Sequence, residues 1–129
     1  MDIDNHNLVF IVGLPGSGKT HLANTLPDRV LIDDPKQAPL FKPNTRYLVT
    51  DPHLCIPKTF IQVSKLYPQA FYYLFTNKVE QCWVNTKSRN DGKDIAYEYL
   101  LSLSNRYDPC QLAELVIHKA IIEVYNHGN

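Results

Sequence analysis

The segment at residues 13–20, GLPGSGKT, constrains the fold of this chain more than any other. It satisfies the pattern GxxxxGK[ST] and follows an unbroken apolar run, Leu8–Val12 (LVFIV), that is typical of a buried parallel strand. A short helix is predicted from Lys19 to about Leu26, because Pro27 then stops it. A strand before the loop and a helix after it are the context that gives this pattern its meaning. The expected binding residues are Gly13, Leu14, Pro15, Gly16, Ser17, Gly18, Lys19 and Thr20.

The pattern predicts phosphate binding for a physical reason. Several backbone N–H groups must converge on one anion, and glycines permit both the tight turn and the close approach. The N-terminus of the following helix favours the same negative charge. Lys19 is expected to reach the β- and γ-phosphates as a catalytic residue, and the Thr20 hydroxyl to bind magnesium. We therefore expect ATP and Mg²⁺ as ligands, although ATP is not distinguished from GTP.

Carboxylates end two further predicted strands. Asp51 follows Tyr47–Thr50 and is the expected second magnesium ligand, with a turn or a helix N-cap as the alternative. Asp33 and Asp34 follow a strand at residues 29–32, and adjacent carboxylates on a strand point to opposite sides. One of them is expected to take the proton of an attacking hydroxyl or to orient it, and Asp33 continues the strand more naturally. The alternative is an Asp-Pro turn. Which of the three is base and which is ligand stays open.

Arg89, in the segment TKSRNDGK, is the expected lid residue. An arginine that closes over the transferring phosphoryl group neutralises charge that is greatest in the transition state, and Gly92 offers a hinge. Arg106 is a weaker candidate for the same role. The alternative is a solvated charge cluster between two helices.

The remaining segments complete an alternating pattern. Helices are predicted at residues 57–67, after an N-cap at Asn77, and at residues 94–105, with strands at Phe71–Phe75 and residues 115–124. Such alternation indicates one α/β domain with a parallel sheet of about five strands, helices on both faces, and ligands beyond the carboxyl ends of the strands.

Composition excludes several classes of protein. The formal net charge is zero, whereas proteins that hold long nucleic acids by their phosphates show a basic excess. Three cysteines without CxxC spacing read as reduced, buried thiols. The polar N-terminus and the absence of a long apolar run predict a cytoplasmic protein (host cytoplasm if the source is viral) with no membrane partner. The oligomeric state stays open.

These residues resemble the P-loop kinases, in particular polynucleotide kinase, the gluconate-type kinases and the zeta toxins. The matching segments are GLPGSGKT, LIDD at residues 31–34, YLVTD at residues 47–51, and FYYLF followed by NKVEQCWVNTKSR. The resemblance implies a strand order of 2-3-1-4-5, an aspartate at the end of the second strand that activates the acceptor hydroxyl, and Arg89 as the lid arginine. The short chain also suggests a viral or phage origin.

Two departures from the resemblance bear on function. The first helix is shorter than in that group, and only about a dozen residues separate the second and third strands, where nucleoside monophosphate kinases hold their acceptor. A kinase whose acceptor brings its own binding surface, such as a polynucleotide end or a protein, is the favoured hypothesis. An ATPase or nucleotide-gated binding module is the second, and a degenerate loop with a structural role is the third.

Overall fold

The structure is a computed structural model, and it describes residues 5–33, 41–88 and 95–126. Three residues with predicted functions, Asp34, Arg89 and Gly92, lie outside the described residues. Strands and helices follow one another as β1 (Leu8–Val12), α1 (Lys19–Ala23), β2 (Val30–Asp33), β3 (Tyr47–Thr50), α2 (Pro57–Leu66), β4 (Phe71–Phe75), α3 (Val79–Ser88), α4 (Tyr97–Arg106), α5 (Pro109–Ala113) and β5 (His118–Ile122).

The five strands form a parallel sheet in the order β2-β3-β1-β4-β5. This confirms the order that the resemblance implied. The central strand β1 places Ile11 opposite Thr50 on one side and Tyr73 on the other. Because the chain crosses from one side of β1 to the other after β3, the carboxyl end of β1 is the point where ligands bind in open sheets of this kind.

Both faces of the sheet are covered by helical segments. Alternate residues of β1 point to opposite faces, so Phe10 and Val12 belong to one cluster of buried residues and Val9 and Ile11 to another. The larger cluster includes residues from α2, α3, α4 and α5. The smaller cluster is covered by Leu22, Ala23 and Leu26, from α1 and the turns after it. The predicted three-layer α/β fold is therefore confirmed.

The structure also corrects details of the local predictions. Helix α1 ends at Ala23, and tighter turns carry the chain to Leu26, whose N–H bonds the carbonyl of Ala23, because a residue before proline is disfavoured in the helical region. A 3₁₀ turn at Pro52–Cys55 and the short helix α5 were not predicted.

The N-cap assigned to Asn77 is wrong. Helix α3 begins at Val79, and the Asn77 side chain is committed to another helix. Its amide donates to the carbonyls of Ser104 and Tyr107, at 2.8 and 2.9 Å, and its oxygen accepts from the Ser104 hydroxyl. Asn77 thus joins the start of α3 to the end of α4.

Candidate nucleotide-binding site

The loop at residues 13–20 leaves the carboxyl end of β1 in a conformation that needs glycine at two positions. Gly16 has φ +86° and Gly18 has φ +112°, both in the left-handed region that other residues rarely adopt. A Cβ on Gly16 would lie 2.3 Å from the carbonyl oxygen of Cys82 in α3. The loop is thus packed directly against the backbone of that helix.

Two polar contacts hold the outside of this loop. The Asn85 side-chain amide, buried in α3, donates a 2.7 Å hydrogen bond to the carbonyl of Gly16 and also donates to the carbonyl of Tyr125. The N–H of Tyr125 donates to the carbonyl of Ser17 at 2.9 Å. Because a trans peptide points its C=O and the next N–H in opposite directions, the N–H of Gly18 is aimed away from Tyr125. The Ser17 carbonyl therefore faces Tyr125 on the outside of the loop, and the Gly18 N–H faces the inside of the loop.

Lys19 crosses the loop and closes it. Its Nζ donates a 2.8 Å hydrogen bond to the carbonyl of Gly13, six residues back. Burial lowers the pKa of Lys19, and the nearby carboxylates of Asp33 and Asp51 act in the opposite direction. The ammonium group therefore lies in the field of both acidic strand ends that the sequence singled out.

The carboxylates of Asp33 and Asp51 are held by different contacts. The Thr50 hydroxyl donates a 2.6 Å hydrogen bond to Asp33 Oδ1 and so links the ends of β3 and β2. Asp51 Oδ1 accepts from the N–H of His53 and pairs with its Nδ1, both at 2.9 Å. Asp51 is thus the N-cap of the 3₁₀ turn, as the alternative interpretation had it. Its Oδ2 accepts no hydrogen bond within the described parts of the chain, so a second role is compatible.

An aromatic pair lies on the other flank of the loop. The rings of His21 and Tyr125 stack with centroids 4.2 Å apart and an interplanar angle of 24°. Tyr125 follows β5 and is 39% exposed, and its Cβ lies 2.7 Å from where a Cβ on Gly18 would be. These rings therefore sit beside the loop with part of their surface in solvent.

Two other predicted site residues, Thr20 and Arg106, are exposed to solvent. Thr20 is exposed at the second position of α1, and Arg106 is exposed at the last position of α4. Across residues 5–33, 41–88 and 95–126, no three His, Cys, Asp or Glu side chains come together as a metal site.

Sequence reasoning missed the residues that shape the loop from outside. The sequence analysis assigned no role to Asn85, within a predicted helix, or to Tyr125, directly after the predicted strand at residues 115–124. Cys55 and Cys82, both fully buried, lie near Lys19 as well. No local sequence pattern indicated that these residues lie beside the loop, because such contacts join distant parts of the chain. Asn85, for example, lies 69 residues from its partner Gly16.

Comparison with known proteins identifies a viral relative. No model of a known protein family matches the chain. Uncharacterized protein R277 of Acanthamoeba polyphaga mimivirus is 31% identical over an alignment that covers 81% of this chain and 88% of the relative. The chain belongs to this mimivirus protein's family. The match extends over most of both chains, so it concerns the whole domain and not the glycine-rich loop alone. Within the described residues, no helix is long and apolar enough to cross a membrane.

Proposed function

We propose that this protein binds ATP and Mg²⁺ at residues 13–20 and transfers the γ-phosphate to a hydroxyl group of a large acceptor. The observation that carries this proposal is the position of Lys19, which bridges back to Gly13 while lying near the carboxylates of Asp33 and Asp51. A glycine-rich loop, a closing lysine and acidic strand ends are the parts that phosphoryl transfer requires.

The residues would divide the chemistry between them. The loop amides and Lys19 hold the phosphates, and the partial burial of Lys19 strengthens its interaction with an anion. Thr20 and the Oδ2 atom of Asp51 would hold the magnesium ion, which neutralises charge on the β- and γ-phosphate oxygens when bound. Asp33 would accept the proton of the acceptor hydroxyl as that oxygen bonds to the γ-phosphorus and the bond to the β-phosphate oxygen breaks.

Thr50 has a supporting role in this proposal. Its hydroxyl is a donor to Asp33 Oδ1, which fixes the orientation of the carboxylate. A fixed orientation is one requirement of a general base. Asp34 and Arg89 remain candidates for acceptor activation and for the lid.

The connection between β2 and β3 bears on the acceptor. It comprises only residues 34–46, which is too short for a helical acceptor-binding domain. A polynucleotide end or a protein would bring its own contact surface. The same shortness favours the second candidate function, an ATPase or nucleotide-gated binding module that passes the phosphate to water.

Labelled ATP tests the proposal. The protein is incubated with γ-labelled ATP, Mg²⁺ and either an oligonucleotide with a free terminal hydroxyl or a hydroxyl-bearing protein mixture. We expect label on a macromolecule, a loss of transfer of at least about 100-fold in Asp33→Asn, and unchanged transfer in the control Asp28→Asn, which alters an exposed turn aspartate. Label released only as free phosphate would favour the ATPase, and full transfer by Asp33→Asn would remove the proposed base.

A further inference from the structure

The acidic and aromatic flanks of the loop lie on opposite sides of β1. Asp33 ends β2 and Asp51 follows β3, and both strands are on one side of the central strand in the order β2-β3-β1-β4-β5. Tyr125 follows β5, on the other side. A triphosphate in the loop must point its γ-phosphate at the carboxylates. Its nucleoside end therefore leaves the loop toward β4 and β5.

The His21–Tyr125 ring pair lies where that nucleoside end emerges. His21 is two residues after Lys19, and Tyr125 is bonded through its N–H to the carbonyl of Ser17. The near-parallel rings stack face to face, so each covers one face of the other, and both residues are partly exposed to solvent. A further planar ring would extend this stack from its outer face. A nucleobase offers a flat π-face of matching size, and stacking on aromatic side chains is a general way of holding bases.

We propose that the His21–Tyr125 pair is the platform on which the base of the bound nucleotide stacks, with Tyr125 as the main contributor. This inference rests on the proposed function, because it takes the loop to be occupied by a triphosphate. The platform recognises the π-face common to all bases, so it contributes affinity and position without choosing between adenine and guanine.

The position of Tyr125 is fixed independently of any ligand. Its backbone N–H and C=O are bonded to Ser17 and Asn85, and Asn85 also bonds the carbonyl of Gly16. Every group in this arrangement except the Asn85 amide is backbone, so the ring of Tyr125 can be removed while the contacts that hold the loop remain. Its base-stacking role can therefore be separated from its structural role.

The test compares two ligands that share the phosphates and differ in the base. ATP and inorganic tripolyphosphate are titrated calorimetrically, in Mg²⁺, into the wild type and into Tyr125→Ala, Tyr125→Phe and Tyr99→Ala. Tyr99 is a matched control because it is also an exposed tyrosine, 43% accessible, on α4. We expect Tyr125→Ala to weaken ATP binding about tenfold and to leave tripolyphosphate binding unchanged. Tyr125→Phe and Tyr99→Ala are expected to keep wild-type affinity for both ligands.

Several results would overturn the inference, and they are distinguishable. If Tyr125→Ala weakens both ligands equally, the ring supports the loop and not the base. If it weakens neither, or if the wild type binds tripolyphosphate as tightly as ATP, the base makes no contact of this kind while the phosphate site stands. A wild type that binds neither ligand overturns the proposed function together with this inference.

Discussion

The side-chain amide of Asn85 donates to the carbonyl of Gly16 across 69 residues of sequence, at 2.7 Å, and so joins helix α3 to the glycine-rich loop. The same amide donates to the carbonyl of Tyr125. One buried side chain therefore satisfies two backbone acceptors from two separate segments. Its replacement leaves both of them without this donor.

Asn85→Ala is expected to destabilise the protein by about 2–4 kcal/mol, since each buried acceptor that loses its donor costs about 1–3 kcal/mol. The free energy of unfolding from urea titration measures this. Gln81→Ala is the control, because among the described residues the hydrogen bond it removes is that of Gln81 Nε2 with Asn85 Oδ1. Equal losses in the two variants would show that the amide of Asn85 does not hold the loop.

Gly16→Ala is expected to be far more damaging than Gly13→Ala. At Gly16 a new Cβ meets the carbonyl of Cys82 at 2.3 Å, and the residue has positive φ, which together cost at least about 2 kcal/mol. At Gly13 the nearest atom is Ser17 Oγ, at 2.4 Å, which lies at the end of a side chain that can rotate. Thermal unfolding and ATP titration of both variants check this order. A Gly16→Ala protein as stable as Gly13→Ala would contradict the packing described.

Lys19→Met is expected to abolish ATP binding and yet to raise the melting temperature of the free protein by about 2–4 °C. Burial lowers the pKa of Lys19, so the charged form is less favourable in the folded state than in the unfolded state. The variant removes that cost and keeps most of the aliphatic packing. Calorimetric unfolding without nucleotide measures the shift, and the exposed Lys58→Met is the control. A lower melting temperature in Lys19→Met would mean that its bond to Gly13 outweighs the cost of burial.

The three thiols are expected to react very differently. Cys55 and Cys82 are fully buried, and burial raises the pKa of Cys55 to about 12 and that of Cys82 to about 11, whereas Cys110 is exposed. Because the thiolate is the reactive form, a disulfide reagent at about pH 8 should label only Cys110 in the native protein and all three after unfolding. Cys110→Ser should remove the rapid reaction. Fast labelling in that variant would show that Cys55 or Cys82 becomes accessible to solvent in the folded protein. The expectation that all three thiols are buried was wrong for Cys110.

The same two buried thiols are expected to lower the free energy of unfolding at high pH. Their pKa values are raised in the folded state, so their contribution is fully present below the unfolded value of 9.0 and is lost as pH rises toward about 11 and 12. Each thiol contributes a slope of about 1.4 kcal/mol per pH unit within its window. Urea titrations between about pH 8 and pH 11 measure the slope. Cys55→Ala should flatten it relative to Cys110→Ala, and equal slopes would contradict this assignment.

Much of the fold was predictable because it depends on local patterns. The strands Leu8–Val12, Tyr47–Thr50 and Phe71–Phe75 were predicted with their actual bounds, since apolar runs ended by glycine, aspartate or polar residues leave little choice. Asn77 was misassigned because its side chain serves a tertiary contact with α4, and no local pattern encodes a partner 27 residues away.

The loop residues were recognisable from the sequence, but the residues that support the loop were not. The glycines and Lys19 stand at the spacing that predicts phosphate binding, and that function stays a prediction. Asn85 and Tyr125 contact the loop through backbone carbonyls, which any sequence offers equally. Only the folded arrangement shows which side chain and which segment reach them.

The hydrogen bond from the Tyr125 N–H to the Ser17 carbonyl also orders events during synthesis. Residues 13–20 leave the ribosome early, whereas their outer supports at positions 85 and 125 are made much later. Contacts so distant in sequence form only after a large loss of chain entropy, so they complete late in folding. A nascent chain that has emerged as far as β4 contains residues 13–20 but lacks Asn85 and Tyr125, which hold the loop in its folded conformation. The supported shape of residues 13–20 is thereby reached only by a polypeptide whose strand β5 is already in place.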